Sequence, residues 1–427
     1  MPWSIALLAA GGLMACVMTA LAHVSAHVVL SRRPWRPSRQ RAPAISILKP
    51  LKGVDDDLEA NLASFVDQAY DGPYEILLGA ADPDDPALEV ARRLKRRFPH
   101  REIRIVAGHT EPGVNPKVAN LAALSAHARH DTWLVSDSNV AVEPDYLATL
   151  ACELGDPDVG VVSNLVVGVG GGNLGAVLEN LHLNSFVLVA VCGAEVVARH
   201  PVVIGKSMLV WRAALEQVGG WSRIADVLGE DYVLGAAVAR AGYRVVLSPW
   251  PVRTVNRTWT VDRFVSRHRR WSRMRRNFAP PIYALEPLLN PIPWLLGLAL
   301  AAVLTVDDPL VPLTGIVTAA RVKMSLDAIL HARLLGSWPS LKELAAIPLK
   351  DLWVLGLWVA GWLRSTVVWR GRRYRIGRGT RLLLEGSPGP AARVPPAPST
   401  APATGYGAAA RGEQWERLRG SGGGSRG

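Results

Sequence analysis

The sequence predicts an α/β fold class, with a mostly parallel sheet covered by helices on both faces, together with transmembrane and interfacial helices. Between Ala44 and Leu247, short apolar runs alternate with longer stretches of helical periodicity, a pattern typical of a parallel sheet built from strand–helix units. Before and after this region lie strongly apolar segments, several of them next to arginine clusters. Such flanked segments are typical of membrane helices.

Residues 1–31 are predicted to form an N-terminal transmembrane helix. Ser4–Leu30 is nearly all apolar and long enough to span a bilayer, and five arginines follow between Arg32 and Arg41. No charged side chain precedes the run, so the positive-inside rule places the N-terminus outside and the next domain in the cytoplasm. A cleaved signal peptide is disfavoured because the basic residues follow the apolar run.

Residues 44–250 are predicted to form the α/β domain. Its predicted strands are Ile45–Leu48, Glu75–Gly79, Ile103–Val106, Trp133–Val135 and Val159–Val162. Its predicted helices are Leu58–Gln68, Ala87–Phe98, Pro116–Ala128 and Asp145–Leu154. We interpret Gly168–Gly172 as a mobile loop, because it lacks the glycine spacing of a dinucleotide-binding turn.

The C-terminal half is predicted to be associated with the membrane. Residues 251–285 are expected to form basic interfacial helices, since arginines alternate with large apolar residues over Trp259–Phe278. Residues 286–375 form the predicted C-terminal membrane region, with apolar segments Leu288–Val306, Leu310–Val322 (a candidate second arm of a hairpin) and Leu352–Trp369. Residues 386–427 are predicted to be a disordered tail.

The composition narrows the possible partners. The chain has 48 Lys and Arg against 36 Asp and Glu, a net charge of +12, which suits nucleic acid, an anionic membrane or an acidic substrate. Most of the arginine clusters adjoin apolar segments, which favours the membrane. No nucleic-acid-binding module is recognisable, so we expect no nucleic-acid partner. The three cysteines lack metal-ligand spacing, which argues against a zinc site or a disulfide framework.

Polar residues follow two of the predicted strands. Asp137 and Asn139 come directly after Trp133–Val135, where open α/β sheets bind ligands. Their oxygen atoms suit Mg²⁺ or Mn²⁺ shared with substrate phosphates, although a polar turn is the alternative. Asp82 follows Glu75–Gly79 and can accept hydrogen bonds from a nucleotide base or ribose. Asp85, or Asp84 before it, is expected to cap the next helix.

Two further motifs lie later in the chain. Glu230 and Asp231 open a predicted helix, where the helix dipole alone can explain acidic residues; in the functional interpretation Asp231 is a general base. Arg267 and Arg270 share one helical face and could clamp a diphosphate, while Trp271 could stack on a sugar or anchor in lipid. A solvated or lipid-facing charged run is the alternative.

Taken in order, these motifs resemble those of the ceramide glucosyltransferases. The resemblance covers Ala44 to Arg375 and rests on Lys49–Asp55, Asp82–Ala87, Asn115-Pro116-Lys117, Asp137-Ser138-Asn139, Glu230-Asp231-Tyr232, Arg267-x-x-Arg270-Trp271 and Trp369–Arg375. The loop Gly205-Lys206-Ser207-Met208 is more similar to bacterial members, close to hopanoid-associated glycosyltransferases.

The resemblance implies a GT-A nucleotide-sugar transferase domain and a role for each motif residue. Asp82 would contact the uridine and Lys117 would help bind the nucleotide, while Asp137 would hold a divalent metal, Mg²⁺ or Mn²⁺. We also expect Asn139 and Glu230 to bind substrate. Asp231 would be the catalytic base, and Arg267, Arg270 and Trp271 would act at the leaving group and the acceptor.

The expected function is inverting transfer of glucose from UDP-glucose to a hydroxyl of a membrane lipid, ceramide first among the candidates. Transfer of N-acetylglucosamine or another sugar to a hopanoid or other bacterial lipid is the alternative. A non-catalytic membrane scaffold that binds nucleotide sugars is the alternative from another class. We expect an integral protein of the bacterial inner membrane with a cytoplasmic catalytic domain; the oligomeric state stays open.

Overall fold

The computed structural model describes residues 3–33, 42–108, 113–369 and 372–385, so the predicted tail 386–427 lies outside the described residues. The strands are β1 (Ile45–Pro50), β2 (Tyr74–Ala80), β3 (Ile103–Ala107), β4 (Thr132–Ser136), β5 (Val140–Ala141), β6 (Val159–Val169), β7 (Ser207–Trp211), β8 (Arg244–Val255), β9 (Thr366–Trp369), β10 (Arg372–Ile376) and β11 (Leu382–Leu384). The helices are α1 (Trp3–Leu30), α2 (Leu58–Ala63), α3 (Pro86–Arg97), α4 (Pro116–Ala126), α5 (Tyr146–Leu154), α6 (Leu174–His182), α7 (Leu188–Val196), α8 (Arg212–Gln217), α9 (Glu230–Arg240), α10 (Val261–Phe278), α11 (Pro280–Leu285), α12 (Pro291–Thr305), α13 (Leu310–Leu335) and α14 (Leu341–Leu363).

The main sheet confirms the predicted α/β class. Its strand order is β3-β2-β1-β4-β7-β6-β8-β5. The first four strands are mutually parallel and β8 is parallel to β6, whereas β7 and β5 are antiparallel to their neighbours. The carboxyl ends of β2, β1 and β4 therefore meet at one edge, the ligand-binding edge of open α/β sheets. The strand β8 runs to Val255, beyond the predicted domain end at residue 250.

Apolar cores cover both faces of the sheet. Along β1, Ile47 packs into the cluster that includes Leu88 and Leu147 from α3 and α5. The next residue, Leu48, packs on the other side with Val118 from α4. Successive side chains of a strand point to opposite faces, so the continuous apolar run of β1 is what a sheet covered on both sides requires.

Two local predictions in the α/β domain are wrong. The helix predicted over Leu58–Gln68 ends at Ala63, because the following turn directs Phe65 and Val66 into the core. The loop predicted at Gly168–Gly172 begins only after Val169, since Gly168 is part of β6. The amide of Asn184 bonds both backbone groups of Gly168 at 2.8 and 3.0 Å. A Cβ at this position would lie 2.9 Å from Asn180 Cα, and this close approach of the helix accounts for the glycine.

Several of the predicted apolar segments form long helices. By length and composition three helices could cross a bilayer, Ile5–Leu30, Leu174–Val196 and Leu341–Leu363, and a fourth crossing is possible if Pro280–Leu289 and Pro291–Thr305, bent by 63°, form one span. The short arm predicted at Leu310–Val322 is wrong, since α13 continues to Leu335. The apolar stretch predicted over Leu352–Trp369 leaves the helix after Leu363, and its last four residues form β9.

The helix Leu174–Val196 is absent from the sequence predictions. It consists of α6, a π-helical turn at Leu183–Val187 and α7. Two thirds of its most apolar window, 67%, is buried, because it packs against α1, α10 and α14. It also packs against β6, so it connects the α/β domain to the other long apolar helices.

Candidate active site

Lys117 lies at the centre of the candidate site. Asn115 caps α4, and its side chain accepts the backbone N–H groups of Lys117 and Val118 at 2.9 and 3.2 Å. This cap fixes Lys117 in the first helical turn. Its Nζ donates to Gly205 O at 2.9 Å and lies 3.0 Å from Asp137 Oδ1 and 3.1 Å from Glu230 Oε1. All three ammonium donors thus have acceptors.

Asp137, directly after β4, is held between two lysines. Lys117 lies at Oδ1, and Lys206 Nζ is 3.6 Å from Oδ2. Burial alone would raise the pKa of Asp137, but the charges of Lys117 and Lys206 outweigh it and hold this pKa below its ordinary value. Asp137 is therefore an ionised carboxylate, and 28% of its side chain remains exposed.

Lys206 is a site residue that the sequence analysis quoted only as part of a loop. Its Nζ donates to Asn139 Oδ1 at 2.7 Å and to Thr254 Oγ1 at 3.2 Å. Burial lowers the pKa of Lys206 to about 8, although the charge of Asp137 opposes this shift. A lysine just before a strand gives little signal by itself; the antiparallel pairing of β7 with β4 brings it to Asp137.

The other residues of the Asp137 motif have structural partners. The side chain of Asn139 is buried and accepts the bond from Lys206. Ser138 donates to Asp55 Oδ2 at 2.7 Å, and Asp55 Oδ1 in turn lies 3.2 Å from Arg263 of α10. Asp137 thus stays partly exposed, while Ser138 and Asp55 join the end of β4 to α10.

Glu230 and Asp231 begin α9 beside Lys117. Asp231 Oδ2 accepts the N–H of Gly205 at 2.7 Å, and Oδ1 accepts that of Tyr232 at 2.8 Å. Each oxygen keeps a further lone pair for a proton. Glu230 is buried, and burial together with the charge of Asp231 raises its pKa against the opposing effect of Lys117.

Asp82 lies at the same edge of the sheet as Asp137, but two strands away. It is exposed and follows β2, where its Oδ1 accepts the N–H of Asp84 at 3.0 Å. The strand β1 lies between β2 and β4, so the two strand ends are about 10 Å apart. Asp85 caps α3 through the N–H of Ala87 at 2.9 Å, as the sequence predicts.

Arg267 reaches the site from α10 and is held by a buried acid. Glu179 of α6 is fully buried, and its oxygens lie 2.9 Å from Arg267 Nη1 and 2.7 Å from His268 Nε2. The guanidinium of Arg267 also lies over the rings of Trp259 and Trp271, 5.0 and 4.5 Å from their centroids. Its charge contributes to the low pKa of Asp137.

The remaining residues of the arginine motif face different surroundings. The guanidinium of Arg270 lies 5.5 Å from the ring centre of Trp369 in β9. Trp271 packs edge-on against His268, with ring centres 5.1 Å apart. The structure thus brings Lys117, Asp137, Glu230 and Asp231 together with Lys206. It places Arg267 within electrostatic range of Asp137 and sets Asp82 farther out.

Glu179 was also missed by the sequence analysis. It lies in the run Leu174–His182, where a single carboxylate interrupts apolar residues. An unpaired buried carboxylate is strongly unfavourable, and that interruption was the available signal. Its partner could not be read from the sequence, because Arg267 is 88 residues away.

The divalent metal implied by the resemblance has a limited set of protein ligands here. Within the described residues no group of three or more His, Cys, Asp and Glu side chains is arranged to hold an ion. Asp137 is ionised and partly exposed. One carboxylate fits Mg²⁺ or Mn²⁺ of the kind that takes most of its ligands from substrate phosphates and water.

These features define a class of protein. An ionised acid at a strand end, flanked by lysines and an arginine, is suited to a diphosphate, and a second acid nearby is suited to accept a proton. This arrangement suits a glycosyltransferase.

Comparison with known proteins supports this class. The model of glycosyl transferase family 21 matches residues 7–382, and the chain therefore belongs to this family. Its α/β domain is accordingly the GT-A domain that the motifs predicted.

Several ceramide glucosyltransferases are similar in sequence. Ceramide glucosyltransferase 3 of Caenorhabditis elegans is 25% identical over 349 residues, 80% of this chain and 74% of that protein. Ceramide glucosyltransferase 1 of the same organism is 28% identical over 256 residues, 58% of this chain and 53% of that protein. The ceramide glucosyltransferase of Komagataella phaffii is 36% identical over 116 residues, 26% of this chain and 23% of that protein.

Two solved structures are also similar. The mannosyltransferase PcManGT of Pyrobaculum calidifontis, in complex with GDP-Man and Mn²⁺, is 20% identical with a TM-score of 0.49 and covers 84% of this chain and 96% of its own. GalNAc-T7 with UDP, GalNAc and Mn²⁺ is 11% identical with a TM-score of 0.39 and covers 60% of this chain and 53% of its own.

Proposed function

We propose that this glycosyltransferase is a membrane-bound, inverting enzyme that transfers glucose from UDP-glucose to a hydroxyl of ceramide, giving a β-glycosyl lipid. The observation that carries the proposal is the cluster in which Lys117 joins Asp137 to Glu230 beside Asp231. The similarity to ceramide glucosyltransferases supports the choice of sugar and acceptor.

In this proposal the donor lies across the carboxyl ends of β2, β1 and β4. Asp82 accepts hydrogen bonds from the uridine, and the diphosphate lies at Asp137, with Asn139 and Glu230 supporting the substrate through the two lysines they bond. A divalent metal held by Asp137 would supply positive charge to the phosphate oxygens. Lys117 and Arg267 supply fixed positive charge to the leaving diphosphate, a stabilisation that grows as negative charge develops there.

The acceptor hydroxyl is activated by Asp231. The two backbone N–H groups that its oxygens accept hold the carboxylate in one orientation, so that a free lone pair can take the proton as the hydroxyl attacks the anomeric carbon. A single displacement inverts the anomeric centre. Arg270 and Trp271, on the same helix as Arg267, act at the leaving group and the lipid.

We further propose that the enzyme is an integral protein of the bacterial inner membrane with its α/β domain in the cytoplasm. Candidate membrane helices precede and follow that domain, and arginines adjoin them. This placement brings together substrates from two phases, because the sugar donor is soluble in water and the acceptor is not. Holding both at one boundary supplies the proximity that the reaction needs.

The test is transfer by the purified full chain in nanodiscs, with UDP-glucose and ceramide, followed by mass spectrometry of the lipids and NMR of the anomeric proton. We expect β-glucosylceramide from the unaltered chain. Asp231→Asn should lose at least about 1000-fold in kcat, since it removes the base, and should bind UDP with unchanged affinity.

Parallel reactions with UDP-N-acetylglucosamine and with a hopanoid acceptor separate the alternatives. Transfer only to the hopanoid, or only of the amino sugar, would refute the assigned substrates. Failure to transfer or hydrolyse any donor, with intact UDP binding, would instead favour the scaffold.

A further inference from the structure

The helix α10 carries a second set of arginines on the face that points away from Arg267. With 3.6 residues per turn, Arg269, Arg273 and Arg276 project within about 60° of one another, and this direction is roughly opposite to that of Arg267. Arg269 is exposed, whereas Arg273 and Arg276 are half-buried. These arginines are therefore separated from the donor site by the width of the helix.

Two of these arginines bond the segment at which α14 ends. Arg276 donates from Nη1 to Trp362 O at 3.0 Å and from Nη2 to Ser365 Oγ at 2.6 Å. Arg273 Nη1 donates to the backbone oxygen of Thr366. Arg364 lies within this segment and is exposed. Arg269, Arg273, Arg276 and Arg364 thus form one group, here called the distal arginine cluster.

The distal arginine cluster carries positive charge without carboxylate partners. Arg263, Arg267 and Arg275 of α10 each pair with an acid. Within the described part of the chain, none of the four cluster members has an acidic side chain within ion-pair distance. Four like charges at one helix end repel one another, so an anion bound there would stabilise the cluster.

Arg273 shows most directly that the cluster lacks a hydrogen-bond acceptor. Its Nε is buried and has no hydrogen-bond partner. Burial, together with the charges of Arg269, Arg364 and Arg276, lowers the pKa of Arg273. A donor that is both buried and unpaired is costly, and an oxyanion is the acceptor that matches the planar fork of a guanidinium.

The surface beside the cluster is apolar. At the end of α14, Val359, Trp362 and Leu363 are 45, 42 and 73% exposed. Ile282 and Leu285 of α11 are 68 and 60% exposed, and α11 lies next to α14, since the rings of Tyr283 and Trp362 are 5.4 Å apart. An exposed apolar band that ends at a tryptophan and several arginines matches the boundary between lipid tails and headgroups.

We propose that the distal arginine cluster binds the phosphate headgroup of an anionic phospholipid, at a site separate from that of the acceptor lipid. The proposal rests on the membrane location proposed above, but not on the identity of the sugar or acceptor. The arginines would bond the phosphate oxygens while the acyl chains lie along the apolar end of α14. Juxtamembrane arginines gain binding free energy at anionic lipid surfaces in this way.

The test is a lipid titration of the delipidated full chain in neutral detergent, followed by native mass spectrometry. The probes are palmitoyl-oleoyl phosphatidylglycerol, the matching phosphatidylcholine, and inorganic phosphate as competitor. We expect phosphatidylglycerol to bind at least about tenfold more tightly than phosphatidylcholine, and we expect millimolar inorganic phosphate not to displace it. The double variant Arg269→Gln/Arg273→Gln should lose at least about tenfold in affinity for phosphatidylglycerol.

Two further variants make the result decisive. Arg364→Gln changes an exposed side chain, so it should fold normally and still weaken phosphatidylglycerol binding. Arg93→Gln/Arg97→Gln removes the same charge as the double variant from α3 and should bind as the unaltered chain does. Equal binding by the cluster variants and this control would overturn the proposal, as would full displacement by inorganic phosphate.

The readout is binding and does not depend on turnover. A protein that binds phosphatidylglycerol through these arginines but transfers no sugar would refute the proposed function alone. A protein that transfers glucose and shows no headgroup preference would refute the lipid site alone.

Discussion

Lys117 Nζ lies 3.0 Å from Asp137 Oδ1, where the first turn of α4 meets the end of β4. The same ammonium lies 3.1 Å from Glu230 Oε1 in α9. One cation thus ties together three segments that are distant in the sequence. The charges of Asp137, Glu230 and Asp231 raise the pKa of Lys117 above its ordinary value against the opposing effect of burial.

Replacing Lys117 by Met should therefore reduce both stability and activity. Asp137 and Glu230 would lose their shared cation in a buried setting, which costs about 3 kcal/mol of unfolding free energy. We expect kcat/KM for the donor to fall at least about 100-fold, since in the proposed mechanism this charge stabilises the leaving diphosphate. Denaturant unfolding and steady-state kinetics measure the two effects.

A double-mutant cycle with Glu230→Gln identifies the source of the stability loss. If Lys117 acts through Glu230, the double variant should be less destabilised than the sum of the single variants. Simple additivity of the two losses would contradict the ion pair described here.

Gly205 is expected to tolerate no side chain. A methyl group there would lie 3.0 Å from Asp231 Oδ2 and 3.1 Å from Lys117 Nζ, so Gly205→Ala must displace the carboxylate or the ammonium. We expect kcat to fall about tenfold or more, because a small displacement of a catalytic group has large kinetic effects. Gly356→Ala, at a glycine with open space around it, is the matched control and should keep full activity. Unchanged kcat in Gly205→Ala would speak against Asp231 as the base.

Glu179 should act by holding Arg267 in position. The variant Glu179→Gln keeps polar atoms near Arg267 and His268 but removes the negative charge. We expect its kcat/KM to fall about tenfold, mainly through a lower kcat. Glu179→Ala should also lose about 3 kcal/mol of stability, since it leaves buried groups unpaired. The control is Glu195→Gln in the same long helix, where the ion pair with Arg32 is partly exposed and its loss should cost less than about 1 kcal/mol. Equal kinetics for the Glu179 and Glu195 variants would exclude the positioning role.

The buried Glu153 should make the stability of the protein depend on pH. Burial raises its pKa to about 7, against a weaker opposing hydrogen bond from Ser248, and Oε2 has no partner. The folded protein thus binds this proton more tightly than the unfolded chain, so the contribution of Glu153 to stability falls as the pH rises from about 4.5 to 7.

Glu153→Gln should therefore match the unaltered chain near pH 4.5 and be about 3 kcal/mol more stable at pH 8. Unfolding at several pH values measures the difference. The exposed Glu89, which pairs with Arg96, offers Glu89→Gln as a control without such a gain. A stability difference that does not change with pH would show that Glu153 is ionised in the folded protein throughout this range.

Much of the fold follows from local patterns. The apolar runs before Asp82 and Asp137 predicted β2 and β4, and Asn115 followed by Pro116 marked the start of α4. Helix ends were less predictable: apolar residues such as Phe65 continue the helical pattern after Ala63, but core packing turns the chain there. The long helix around Glu179 was not predicted, because a buried helix lacks the polar face by which most helices are identified.

The sequence by itself determined which residue types are present for the chemistry, Asp82, Asp137, Asp231 and Arg267 among them, and that apolar segments flank the α/β domain. It did so because strand ends, helix caps and apolar runs depend on nearby residues. Only the tertiary structure decided that Lys206 and Glu230 join Asp137 through the antiparallel strand β7 and the helix α9, and that Glu179 holds Arg267. Those contacts depend on which strands pair and which helices pack together, and no local pattern encodes that choice.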